Sequence, residues 1–208
     1  MSGLSWKGVP VPYIVPWTGE QDITPTVVPR GFGIGFLDDD LNVQYRDTYG
    51  ALWTQRALGR GRGEPLFQNV HPLRQRRAML HMLCQVCGQP AEDDNRGTLF
   101  LIGARAAAQI ERTAHPPLCP PCAQRAVSLC PHLIRNHLAL RSRRPTPWGI
   151  FGHRYAPGKP FPVSREQPEA MSYNNPDIRW MLAGQIVVEL RHCIGVDLAE
   201  EFGGAIPA

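Results

Sequence analysis

One stretch of the chain carries a clear i, i+4 apolar stripe: Ile178, Leu182, Ile186 and Leu190, with Met181 and Gln185 flanking it. That periodicity predicts an amphipathic helix. Asn175 can cap it, Pro176 takes its first position, and Asp177 complements the positive helix end. A second helix is predicted from Pro72 to Leu83, with Leu73, Arg77, Leu80 and Leu83 at helical spacing and Arg74, Arg76 and His81 on other faces. A third opens at Pro121 and runs from Cys122 to Cys130, where Pro131 ends or kinks it.

Shorter apolar patches predict strands at residues 31–37, Thr98–Ala104, His137–Arg143 and Cys193–Leu198. A polar turn over Glu92–Gly97 precedes the second of these, and Cys193 reads as buried in the last. The first patch, Gly31-Phe-Gly-Ile-Gly-Phe-Leu, lacks the third glycine of a dinucleotide fingerprint. Asp38, Asp39 and Asp40 follow it and would repel phosphate, so they read as a turn before Leu41, with a carboxylate metal site as the alternative. Proline punctuates residues 1–30 and again residues 144–176. The first region reads as an arm laid over the core, with Tyr13, Ile14 and Trp17 to pack, and the second as loop.

Composition narrows the class. A chain of 208 residues with 43% hydrophobic residues can bury a core, and its 21 prolines and 20 glycines are spread along it rather than gathered into a disordered tract. Only Lys7 and Lys159 among the 22 basic residues are lysines, and a net charge of +4 does not by itself imply nucleic acid. The opening residues lack the apolar core of a secretory leader, and no apolar run is long enough to span a bilayer. These features predict a cytoplasmic protein with no membrane partner, in which paired cysteines serve metal or redox chemistry rather than structural disulfides.

Two cysteine pairs carry the chemistry. Cys84 and Cys87 lie in Cys-Gln-Val-Cys-Gly, and Cys119 and Cys122 in Cys-Pro-Pro-Cys. A Cys-x-x-Cys turn puts two sulfurs on one side of a tight loop, and two such turns can close a tetrahedron of thiolates around one Zn2+. Gly88 suits a knuckle whose amides approach sulfur, and a helix beginning at the second pair lowers the pKa of its thiols. Cys130 lies about two helical turns (~12 Å) beyond Cys122 and reads as a packing residue. Exchange of Cys130 or His132 into the ligand set stays open.

The order of knuckle, strand or hairpin, and cysteine-bearing helix resembles a treble-clef zinc finger over residues 84–132. That resemblance implies one structural zinc and leaves the activity undefined. The surrounding segments, His71-Pro-Leu-Arg-Gln-Arg-Arg, Leu83-Cys-Gln-Val-Cys-Gly, Leu118-Cys-Pro-Pro-Cys-Ala, Cys130-Pro-His-Leu and Arg179-Trp-Met-Leu-Ala-Gly-Gln, also resemble a family of actinomycete proteins without an assigned activity.

Three functions compete for this framework. Cys-Pro-Pro-Cys at a helix start also resembles the active site of thioredoxin-like oxidoreductases, which would make Cys119 and Cys122 a thiol–disulfide pair. The approach Thr-Ala-His-Pro-Pro-Leu lacks the usual tryptophan. A His-Asn-His nuclease would need histidines on the hairpin and helix, and only His115 lies between Cys87 and Cys119. Arg74, Arg76, Arg77, Arg141, Arg143 and Arg144 flank the module and could grip nucleic-acid phosphates if they converged on one face. No local nucleophile–base–orienter set is visible.

The sequence therefore predicts an α+β protein in three segments. Residues 1–70 form a proline-rich arm and N-terminal strands, residues 71–143 the zinc-binding module, and residues 144–208 a loop, helix and closing strand packed on the same core. The function expected is non-catalytic: one zinc on Cys84, Cys87, Cys119 and Cys122 in a module that binds another protein. Nucleic-acid binding is the alternative, and an oxidoreductase is third.

Overall fold

The computed structural model describes residues 4–91, 95–103, 112–134 and 137–201. Its elements are β1 (Ser5–Trp6), β2 (Val9–Pro10), β3 (Val27–Arg30), β4 (Gly33–Phe36), α1 (Asp39–Tyr45), β5 (Leu52–Trp53), α2 (Pro72–Leu80), β6 (Thr98–Gly103), β7 (Arg112–Thr113), α3 (Pro120–Leu129), β8 (His137–Ala156), β9 (Val163–Ser164), β10 (Glu169–Ser172), a 3-10 turn (Pro176–Trp180), β11 (Met181–Gly195) and α4 (Leu198–Glu201). The class is α+β, as expected. The polar turn over Glu92–Gly97 lies partly outside the described residues, as does the strand end at Ala104.

Two long antiparallel strands organise the molecule. β8 and β11 pair from Arg154 opposite Met181 to Leu140 opposite Gly195. β6, β10 and β9 line the other edge of β8, while β5 and β7 line the other edge of β11. β8 also runs across residue 143, so the cysteine-bearing segment and the C-terminal segment share one sheet.

The helix predicted after Asn175 is a strand. Asn175 does cap, its side chain accepting from the Asp177 amide, but the turn it starts is 3-10 and ends at Trp180. A spacing of four is also a multiple of two, so the pattern alone does not separate a strand from a helix, and in the strand Leu182 packs in a different cluster from Ile186 and Leu190. Ile186, Val187 and Val188 lose χ1 freedom in a helix and pack readily on a pleated surface. Gly184 then absorbs a bulge between Ala183 and Gln185. The bulge shifts the inward parity from Met181 and Ala183 to Ile186, Val188 and Leu190, all of which join one core cluster.

Residues 144–156, expected as loop, instead continue β8 through Pro145 and Pro147. Both prolines lie on a stretch of the outer edge of β8 that, among the described residues, no strand pairs, between β6, whose pairing ends at Ser142, and β10, which begins at Gly149. The closing strand expected at Cys193–Leu198 stops at Gly195, and Leu198 begins α4. Cys193 is exposed rather than buried. Asp38 is not merely a turn residue: its side chain accepts from the Leu41 amide and caps α1.

α2 also turns the opposite way from its apolar stripe. Leu73 and Leu80 are exposed, while Arg74, Gln75, Ala78 and Met79 are buried. The polar residues go inside because partners wait for them. Arg74 meets Glu20 of the N-terminal arm. The Gln75 amide donates to Ala114 O and Ile186 O and accepts from the Ile186 amide.

Alternation along β6 divides the core. Phe100 and Ile102 pack with Met79 of α2 and the inward face of β11, whereas Leu99 and Leu101 pack with Leu118, Ala123 and the cysteines. The cysteine-bearing segment thus rests on one face of the sheet and α2 on the other. The N-terminal arm does lie on the core, burying Val11, Ile14, Val15 and Trp17.

Candidate metal centre

Two backbone turns bring the sulfurs together. In the first, the Gly88 amide donates to Cys84 O (2.8 Å) and the Cys84 amide to Gln89 O (2.7 Å). Gly88 sits at φ 73°, a left-handed conformation that glycine adopts without strain. In the second, Cys119 caps α3, its carbonyl accepting from the amides of Cys122 and Ala123, both at 3.0 Å. Pro120 and Pro121 open that helix at no hydrogen-bonding cost.

The two turns are stitched to each other and to their surroundings. Gln85 N donates to Pro117 O at 2.9 Å, and Leu118 N donates to Leu99 O of β6 at 2.9 Å. From the other side, Tyr13 N and Ile14 N of the arm donate to Val86 O and Gln85 O. The centre is therefore held by β6, α3 and the arm together.

Cys84, Cys87, Cys119 and Cys122 place their Sγ atoms within 4.8 Å of one another. Cys87 Sγ and Cys119 Sγ are 3.8 Å apart. A tetrahedron with Zn–S bonds of about 2.3 Å requires sulfurs about 3.8 Å apart, so the donor set fits a single tetrahedral ion. All six cysteines are free thiols. Among the described residues, neither Cys130 nor His132 joins the cluster.

Burial works against charging these thiols one by one. It pushes Cys84 up to about 12. It also raises Cys122, with the neighbouring sulfurs adding to the shift. Burial raises Cys87 too, but the Gln89 amide and the adjoining thiols outweigh it and bring that group below its usual value. Four sulfurs this close shed their protons together only against a compensating cation. A divalent metal supplies that charge.

The six flanking arginines are dispersed. Arg74 and Arg141 are buried, the first against Glu20 and the second donating to Gly97 O. The Arg76 guanidinium lies 4.4 Å from the Trp53 ring centroid, and Arg77 is exposed on α2. Arg143 and Arg144 are exposed on β8 beside His192 and Cys193. Sequence reasoning missed Glu20 and Gln75, because their roles depend on partners 54 and 111 positions away.

Among the described residues, no helix is long and apolar enough to cross a membrane. No family model, curated protein or solved structure matches the chain.

Proposed function

We propose that this chain is a structural zinc protein that acts by binding rather than by catalysis. Cys84, Cys87, Cys119 and Cys122 hold one Zn2+ in a closed thiolate site. The observation that carries this reading is the convergence of four Sγ atoms within 4.8 Å. A multi-iron cluster would put several irons and sulfides between the thiolates and spread them further. Four protein ligands leave no open position for water or substrate, the mark of a structural rather than a catalytic zinc. The same ligation withdraws Cys119 and Cys122 from thiol–disulfide exchange.

The module follows treble-clef order, with the knuckle at Cys84–Gly88 and the second pair at the α3 N-terminus. It departs from a simple treble clef because β6 pairs with β8. The ion joins the arm, the sheet and α3, so its role is to fix a surface for a protein partner. The test is thermal: Cys84→Ser and chelation of the parent should each lower the melting temperature, while Cys193→Ser, at an exposed site, should leave it in place. A melting temperature unmoved by both chelation and Cys84→Ser would refute the structural role.

A further inference from the structure

Beside the metal centre runs an apolar groove of about 460 Å³, within the ~300–1,000 Å³ range of ligand sites. One wall is the N-terminal arm, contributing Val9, Pro10 and Pro12, and the other is α3. Cys122, Ala126 and Leu129 of α3 line it at i, i+4 and i+7, while Ala123 and Val127 of the same helix bury into the core. Cys122 and Ala126 also pack on the core beneath, so the exposed member of this stripe is Leu129. Val9, Phe67 and Leu129 at the groove are 48%, 49% and 55% exposed.

Two features specify the occupant. Among the described residues no carboxylate lines the groove, and the basic side chains there are Arg125 and His132, both exposed. An apolar occupant bearing a negative charge is therefore complementary. Pro10, Pro12 and Pro131 in the lining have no N–H to offer. The walls give little to an added β-strand, so recognition works through side chains packed against the helix stripe.

We propose that this groove takes an apolar segment of a partner protein that carries an acidic residue, which engages Arg125. The proposal rests on the protein-binding reading above and names the chemistry of that partner. Binding buries Leu129 and Phe67 and pairs the acid with a guanidinium at the rim.

The test pans the purified full-length chain against a phage-displayed random-peptide library and titrates the enriched peptides, fluorescently labelled. The expected winners combine large apolar residues with Asp or Glu. Leu129→Glu and Arg125→Glu should each weaken them by roughly tenfold or more. Replacing the peptide's acid with lysine should restore binding to Arg125→Glu. Both sites are exposed, so folding should survive, and an unchanged melting temperature checks this. No enrichment, or peptides indifferent to both substitutions, overturns the proposal. So does sedimentation showing a self-association that Leu129→Glu abolishes, which would assign the groove to a second copy of the chain. Zinc content measured on the same samples separates the two readings: peptide binding by zinc-free protein sinks only the metal, and zinc without peptide binding sinks only the groove.

Discussion

Arg74 and Glu20 meet end to end beneath the surface, with Nη1 to Oε1 at 2.6 Å and Nη2 to Oε2 at 2.7 Å. The carboxylate also accepts from the amides of Trp17 and Gly59, so the pair ties the arm and the loop before α2 to the helix itself. Removing one partner leaves the other charge buried and unmatched, which costs about 3–5 kcal/mol. Arg74→Met should therefore lower stability by that order in urea denaturation.

The same pair has a pH signature. Burial raises the Glu20 carboxyl, but the Arg74 and Trp17 hydrogen bonds prevail and hold it below its ordinary value of 4.5. A depressed carboxyl contributes stability above its unfolded pKa and loses it as pH falls through the folded one. In Arg74→Met the guanidinium's share of the lowering is lost, the Trp17 and Gly59 amides remain, and Glu20 protonates at a higher pH than in the parent. The stability gap between parent and variant should narrow as urea titrations move from neutral pH into the acid range. A gap that widens on acidification would contradict the pairing.

Gln75 fastens α2 to β11 through both the N–H and the C=O of Ile186. Gln75→Leu keeps the volume but strands those groups inside the core. A loss of roughly 2–4 kcal/mol is expected, with zinc content unchanged. Equal urea midpoints for variant and parent would show that the contact is dispensable.

Gly88 combines φ 73° with a tight fit, since an added Cβ would lie 3.0 Å from the Tyr13 ring. Gly88→Ala should cost about 1–2 kcal/mol in backbone strain alone, and should speed metal loss to a competing chelator. An unaltered rate of zinc release would separate the knuckle geometry from metal retention.

The fate of the arginines bears on nucleic acid. With Arg74 and Arg141 buried, the exposed members of the six flanking arginines are Arg77 on α2 and Arg143 and Arg144 on β8. Titration with duplex DNA or structured RNA at low salt should give no micromolar binding. Tight binding that falls steeply as salt rises would reveal several neutralised phosphates and promote the alternative function.

The convergence of Cys84, Cys87, Cys119 and Cys122 was legible in the sequence because its information is local. Each Cys-x-x-Cys turn fixes two sulfurs within four residues, and Gly88 marks the knuckle. The C-terminal strand was not legible. Ile178, Leu182, Ile186 and Leu190 satisfy both periods, and only pairing with β8 chooses between them. The strand through Pro145 and Pro147 runs along an edge that no strand pairs among the described residues, and no local pattern records that. The inverted face of α2 depends on Glu20 and Ile186, which are remote in sequence.

The central claim is tested most directly by elemental analysis of protein purified without added metal, joined to X-ray absorption at the metal edge. One zinc per chain in an all-sulfur shell near ~2.3 Å is the predicted result. Absence of stoichiometric metal, a different element, or nitrogen or oxygen in the first coordination shell would contradict the assignment of Cys84, Cys87, Cys119 and Cys122 as a structural zinc site.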